Sequence, residues 1–242
     1  MSLVLRSFLF ATLLTSLSPV FAAGTPATFN NQYVSSALGF KITVTHSLVE
    51  QEDGTRKMHF RAESWFASID ETSILQWDDQ KSQVIPLHYI YKRRGVGRNK
   101  DTDLGFNWSK GVITNNLNGN SHTVDAALRI QDKLSYQLQL QQDLRDGKTR
   151  FVYNIADGGG GELREYAFEI VSEETLDTPL GKVDTVKVKR SRASSDRVTY
   201  AWLAKDWDYL LVRMQQEEKG DTYTINLNKA NINGQDIKSF QK

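Results

Sequence analysis

Period-two alternation of apolar and polar side chains, in short runs punctuated by glycine and Asx turns, leaves this chain few folds to choose from. Phe40, Ile42, Val44, His46 and Leu48 fall on one parity and Lys41, Thr43, Thr45 and Ser47 on the other. That is the pattern of a half-buried strand, whose side chains point alternately to core and water. "QEDGT" supplies an Asp53-Gly54 turn, and in "RKMHFRAESW" Met58, Phe60 and Ala62 oppose Lys57, His59, Arg61 and Glu63. The two runs therefore read as an antiparallel hairpin.

The alternation continues along the chain. In "SQVIPLHYIYKRR" Leu87, Tyr89 and Tyr91 share a face, with Pro86 suited to a strand start or edge. "LGFNWSKGVITNNLNGNSHTV" reads as two short strands, and "RFVYNIA", "REYAFEIV", "KVDTVKVKR", "RVTYAWLA", "DYLLVRMQQEE" and "DTYTINL" follow. About eleven strands joined by tight turns predict a mainly β fold, an antiparallel rolled sheet or open β-barrel. No strand–helix–strand alternation points to a parallel nucleotide-binding sheet. One segment differs: "DKLSYQLQLQQDLRDG" has helix-forming composition, Asp132 to cap its start and a closing glycine. It predicts one helix of about four turns that covers an open sheet face or plugs a barrel mouth, although "YQLQLQ" alone also fits a strand. Residues 24–32 and 231–242 read as loose ends.

The first 22 residues read as a cleavable secretory signal. One cation, Arg6, precedes the apolar "SFLFATLLTSLSPVF", and "VFA" offers small residues at the cleavage site. The remaining residues 23–242 are expected to form a single β-rich domain in the periplasm, with no membrane span after processing. The chain has no cysteine, so neither a disulfide nor a lipidated anchor is available. With Arg6 gone, 29 Lys and Arg face 29 Asp and Glu. This balance gives no support for nucleic acid as a partner.

No catalytic residue, metal site or cofactor site emerges. There is no nucleophile elbow, and the four histidines sit in separate segments without metal-ligand spacing. The glycine run "ADGGGGE" lies between two strand-like runs rather than ahead of a helix, which makes it a hairpin connection and not a phosphate cradle. Two features remain as candidates for ligand binding. One is cationic: Lys92, Arg93, Arg94, Arg98 and Lys100 at a strand end and turn, and Lys187, Lys189, Arg190 and Arg192 in the comb "DTVKVKRSR" with Arg197 beyond it. Of these, Lys92, Arg93, Arg94, Lys187 and Lys189 are the candidate ligand contacts. The other is aromatic: Trp65 on the polar parity of its strand, with Trp202 and Trp207 around the acidic turn "AKDWDY". Together they suit a ligand with an apolar body and an anionic head.

"ETLDTPLGKVDTVKVKRSR", "RVTYAWLAKDWDYLLVRMQQEEKGDTYTINL", "YIYKRRGVGRNKDTDLGFNWSKG" and "DKLSYQLQLQQDL" together resemble the exported bacterial family known as domain of unknown function 3108. Thr178, Pro179, Gly181, Trp202 and Leu211-Val212-Arg213 carry most of the likeness, and Asn107 stands where the family pattern suggests an acidic residue. The resemblance implies a periplasmic β-rich domain and brings no activity or catalytic residue with it. In outline it is also similar to rolled-sheet envelope proteins that hold lipid tails or lipoproteins. The function expected is a non-enzymatic cell-envelope protein that binds an amphipathic component, lipid or lipoprotein-like, or a partner protein. The alternatives are a hydrolase or transferase acting on cell-wall or glycan material, and a structural envelope protein without a small ligand.

Overall fold

A computed structural model describes residues 24–37, 40–95, 97–126, 129–158, 162–192 and 195–240. The signal segment expected at residues 1–22 lies outside them. The chain forms β1 (Phe29–Ala37), β2 (Phe40–Glu50), β3 (Arg56–Glu63), β4 (Ser68–Asp78), β5 (Gln83–Arg94), β6 (Lys100–Asn107), β7 (Val112–Leu117) and β8 (Asn120–Asp125). After α1 (Ser135–Arg145) come β9 (Arg150–Ala156), β10 (Leu163–Thr178), β11 (Gly181–Arg192), β12 (Val198–Ala204), β13 (Leu210–Glu218), β14 (Asp221–Ile232) and β15 (Gln235–Ile237). All are antiparallel neighbours in one sheet ordered β8-β7-β6-β5-β4-β3-β2-β1-β14-β13-β12-β11-β10-β9, with β15 added on β14. Two meanders thus meet where β1 pairs with β14.

The fold is the open, barrel-like antiparallel sheet that the alternation predicts, but with fifteen strands rather than about eleven. β1 and β4 escape the pattern because they turn Asn31, Ser35, Glu71 and Ser73 inward. β8 escapes it because almost every side chain is exposed, and β15 because it is three residues long. The expected loose ends are also corrected. Phe29–Asn31 and the segment up to Ile237 are paired strand, and Phe240 is buried, its N–H donating to Leu180 O at 2.7 Å. Leu87 does not share the inward face of Tyr89 and Tyr91. Leu75 pairs with Pro86 and Ile74 with His88, so Leu87 is the extra residue of a bulge that resets the parity.

Among the described residues the sheet does not close by strand pairing between its ends. Gln131 makes the seam instead. Its N–H donates to Asn154 O on β9 at 3.0 Å, its C=O accepts from Ala156 N at 2.9 Å, and its Nε2 donates to Val84 O on β5 at 2.9 Å. The Val84 N–H donates in turn to Gln139 Oε1 at 2.9 Å. β5 pairs with β6 only from His88 onward. Two glutamine side chains therefore satisfy the backbone groups that a neighbouring strand would otherwise take. Beyond the seam, β6 runs over the start of the β9–β10 hairpin. Gly158 (φ +70°) lies there, and a Cβ on it would sit 2.0 Å from Thr102 Cγ2.

α1 is shorter than expected, three turns rather than four, and none of its residues is exposed. It is a plug inside the curl, not a cover on a face. Leu134 and Leu138 pack with Leu48, Met58, Leu75 and Tyr89. Leu140 and Leu144 pack on the other side with Phe151, Tyr153, Phe168 and Val188. Its start is fixed by Asp132, whose Oδ1 accepts from Leu134 N at 2.7 Å and Ser135 N at 2.8 Å, while Oδ2 accepts from Ser73 Oγ at 2.6 Å. One carboxylate thus caps the turn before the helix and ties it to β4.

Candidate functional site

The wall of α1 that carries Tyr136, Gln137, Leu140 and Gln141 faces β1–β3 on one side and β10–β13 on the other. Between them is a partly enclosed cavity of about 80 Å3. Most of its lining is apolar: Phe29, Met58, Phe168, Val188, Leu203 and Met214 contribute. These residues face inward because they hold the buried parity of their strands. Tyr33 also lines it, with its hydroxyl donating to Leu211 O at 3.0 Å, and burial pushes that phenol well above its ordinary pKa.

Polar groups also line it, Asn31, Gln137, Gln141 and Thr199 among them, and two of the lining side chains are basic. His46 is 4% exposed and meets Phe29 and Phe60 edge-on at 5.0 and 5.9 Å. Burial, assisted by the nearby His59, lowers its pKa to about 3, so the ring is neutral at physiological pH, and Nε2 has no hydrogen-bond partner. Arg190 is the second. Its Nη2 donates to Thr199 Oγ1 at 2.7 Å and its Nη1 to Tyr136 Oη at 3.3 Å, and the guanidinium lies 4.9 Å from the centre of the Tyr166 ring. Among the described residues no carboxylate pairs with it. A half-buried guanidinium held by two neutral hydroxyls and a ring face is oriented, yet its charge is uncompensated.

The residues singled out in the sequence do not line this cavity. Lys92, Arg93 and Arg94 stand at the far end of β5, where Arg94 pairs with Asp101 at 2.7 Å and Arg93 donates to Arg98 O. Lys187 and Lys189 occupy the face of β11 opposite to Val188. Lys187 Nζ lies 4.8 and 4.6 Å from the ring centres of Tyr200 and Trp202, and 3.9 Å from Glu174. Lys189 approaches Glu169 at 4.0 Å. Trp202 is buried in a second cluster with Val183 and Leu176, Trp207 packs edge-on against Phe240 at 5.3 Å, and Trp65 is 79% exposed beside Phe66. Of these eight residues, the structure brings together Lys187 and Trp202.

Arg190 belongs to the same cationic comb as Lys187 and Lys189, but it faces the other way. Within "VKVKR" it shares the parity of Val186 and Val188, not that of the two lysines. Other buried ionisable groups serve structure. Asp208 pairs with Arg145 of α1 at 3.1 Å, burial raising its pKa against that pairing, and Lys133 meets Glu71 at 3.3 Å. Among the described residues no cluster of three His, Asp or Glu side chains is arranged to hold a metal ion, and no helix is long and apolar enough to cross a membrane.

Comparison with known proteins places this geometry in context. A family model described as "Protein of unknown function (DUF3108)" matches residues 17–228. No curated protein matches the chain. Among solved structures, the beta-barrel-like protein of domain of unknown function DUF1849 from Brucella abortus is similar, with a TM-score of 0.60 at 9% identity over 85% of this chain and 98% of that one. At that identity the likeness is one of fold.

Proposed function

We propose, for a chain that belongs to the DUF3108 family of proteins of unknown function, a non-enzymatic role in the cell envelope: binding of an amphiphile, lipid or lipoprotein-like, whose anionic head meets Arg190 and of whose apolar part the cavity takes a short length, about three carbons. The observation that carries this reading is the arginine itself. A guanidinium without a carboxylate partner, set at an apolar cavity, is stabilised by an anion from outside the chain. The apolar lining supplies the second half of the requirement. Under this reading residues 1–22 act as a cleavable secretory signal and the mature chain works in the periplasm.

Intact and native mass spectrometry of protein isolated gently from the envelope fraction tests both parts. The mature chain is expected to begin near Ala23 and to carry a co-purifying lipid-like mass. Arg190→Gln should lose that mass and bind a dansyl-labelled fatty acid about tenfold more weakly, the worth of a hydrogen-bonded charge contact. Its melting temperature without ligand should stay close to that of the parent. A clean, ligand-free protein that also fails to bind the labelled fatty acid refutes the reading.

A further inference from the structure

The seam that closes the sheet leaves part of β9 uncovered. Gln131 bonds to Asn154 O and Ala156 N, so these residues direct their backbone groups away from β10. By the two-residue alternation of an antiparallel ladder, Arg150 and Val152 direct theirs the same way. Among the described residues nothing pairs with them. Arg129, two residues before Gln131, adopts φ +68° rather than the extended conformation of a strand. The uncovered stretch opens into a polar crevice of about 320 Å3, with Ser82 and Gln83 as its far wall and Gln139 and Asp143 of α1 as its floor.

Charge surrounds the crevice unevenly. Its lining includes Lys81, Arg129, Lys148 and Arg150 against Asp143 and Asp146. Lys148 and Asp143 neutralise each other at 2.6 Å, and Lys81 pairs with Asp78 at 3.1 Å. Arg129 makes no ion pair among the described residues, and Arg150, its side chain 84% exposed, comes no nearer than 4.0 Å to Glu169. Two guanidinium groups therefore flank an open strand edge, beside Val152, itself 59% exposed.

We propose that the edge of β9 at Arg150–Val152 is a strand-addition site for an extended, acidic peptide segment of a partner protein. The segment would extend the ladder that Gln131 begins, taking up the free N–H and C=O groups, while its carboxylates meet Arg129 and Arg150. Three residues of strand span about 10 Å, which matches the uncovered stretch. The site is distinct from the amphiphile cavity and does not depend on it.

The test uses the full mature protein and an acetylated peptide of alternating valine and aspartate. Its expected signature is slowed amide exchange at Arg150 and Val152, with affinity that falls as salt rises. Val152→Pro should lower affinity at least about tenfold while leaving the β9–β10 ladder intact, since the lost N–H faces the free edge. Arg129→Gln with Arg150→Gln should weaken binding several-fold and flatten the salt dependence. Equal binding by parent and Val152→Pro overturns strand addition, as does binding of an oligogalacturonate in place of the peptide. Absence of any binding at millimolar peptide overturns it too. Should Val152→Pro fail to fold by circular dichroism, the amide-exchange pattern of the parent decides alone.

Discussion

Asp132 makes a prediction whose magnitude can be worked from its surroundings. The carboxylate is fully buried between β4 and the start of α1, and burial raises its pKa from 3.8 to about 6, outweighing the hydrogen bonds from Ser73, Leu134 and Ser135 that favour the charged form. An acid whose folded pKa lies above its unfolded value binds its proton more tightly in the folded state. Its contribution to stability therefore grows as pH falls from about 6 toward 3.8 and is lost above that window. Two pKa units at about 1.4 kcal/mol each amount to about 3 kcal/mol between pH 7 and pH 4.

Asp132→Asn imitates the protonated acid: Oδ1 can still accept from Leu134 and Ser135, and Nδ2 can donate to Ser73 Oγ. Urea unfolding of parent and variant at a series of pH values isolates this one group, because every other titration cancels in the difference. The variant should be more stable relative to the parent at pH 7 than at pH 4, by about 3 kcal/mol. A difference that is flat with pH to within about 1 kcal/mol, or that grows toward acid, refutes the argument.

The helix and the exposed cations make further predictions. Leu138→Ala should cost about 3 kcal/mol by opening a void between α1 and the β2–β5 wall, read as a lower urea midpoint. Gln139→Asp should cost about 1–2 kcal/mol, since the shorter side chain withdraws from Val84 N and Ser82 O, and hydrogen exchange should rise at Val84. Changing Lys187 and Lys189 together to Gln should cost no more than about 1 kcal/mol and lower the melting temperature of ligand-free protein only slightly, since the contacts with Glu174 and Glu169 are 3.9 and 4.0 Å long and the loss falls on the Lys187 contacts with the Tyr200 and Trp202 rings.

The fold was legible where each strand keeps its polar residues outside, and illegible where function or closure turns them in. β2 and β3 keep a readable alternation despite the buried His46 and Arg56, and were read to within a residue or two. β1 and β4 break it with Asn31, Glu71 and Ser73, so their alternation disappears from the sequence even though the backbone is regular strand. In α1, glutamines between leucines read as a solvent face. Inside the curl they serve the backbone instead: Gln139 holds Val84, and Gln141 Nε2 donates to Tyr209 O at 3.1 Å. A hydropathy pattern cannot tell a glutamine facing water from one facing an unpaired strand edge, because both are polar positions satisfied by hydrogen bonds. The cation comb holds a related distinction, between side chains of one charge and opposite parity. Charge drew notice to Lys187 and Lys189, whereas parity marks Arg190 as the inward one.

α1 lines the apolar cavity with Tyr136 and Leu140 and floors the polar crevice with Gln139 and Asp143, so the two proposed sites share a wall. Coupling between them would require that wall to have two arrangements, one of them preferred by a ligand. Leu134, Leu138, Leu140 and Leu144 are each no more than 5% exposed. At about 2 kcal/mol apiece their burial amounts to about 8 kcal/mol, and half of that would already keep the unseated helix below about one molecule in a thousand. A ligand that favours the seated helix then has almost no population to shift. Peptide affinity at β9 should accordingly change less than about twofold when the cavity is filled with a fatty acid, and fatty-acid affinity should change equally little when the peptide is bound. A reciprocal change of fivefold or more would mean that α1 leaves its seat in the ligand-free protein, and that the cavity as it stands is only part of the volume a ligand can occupy.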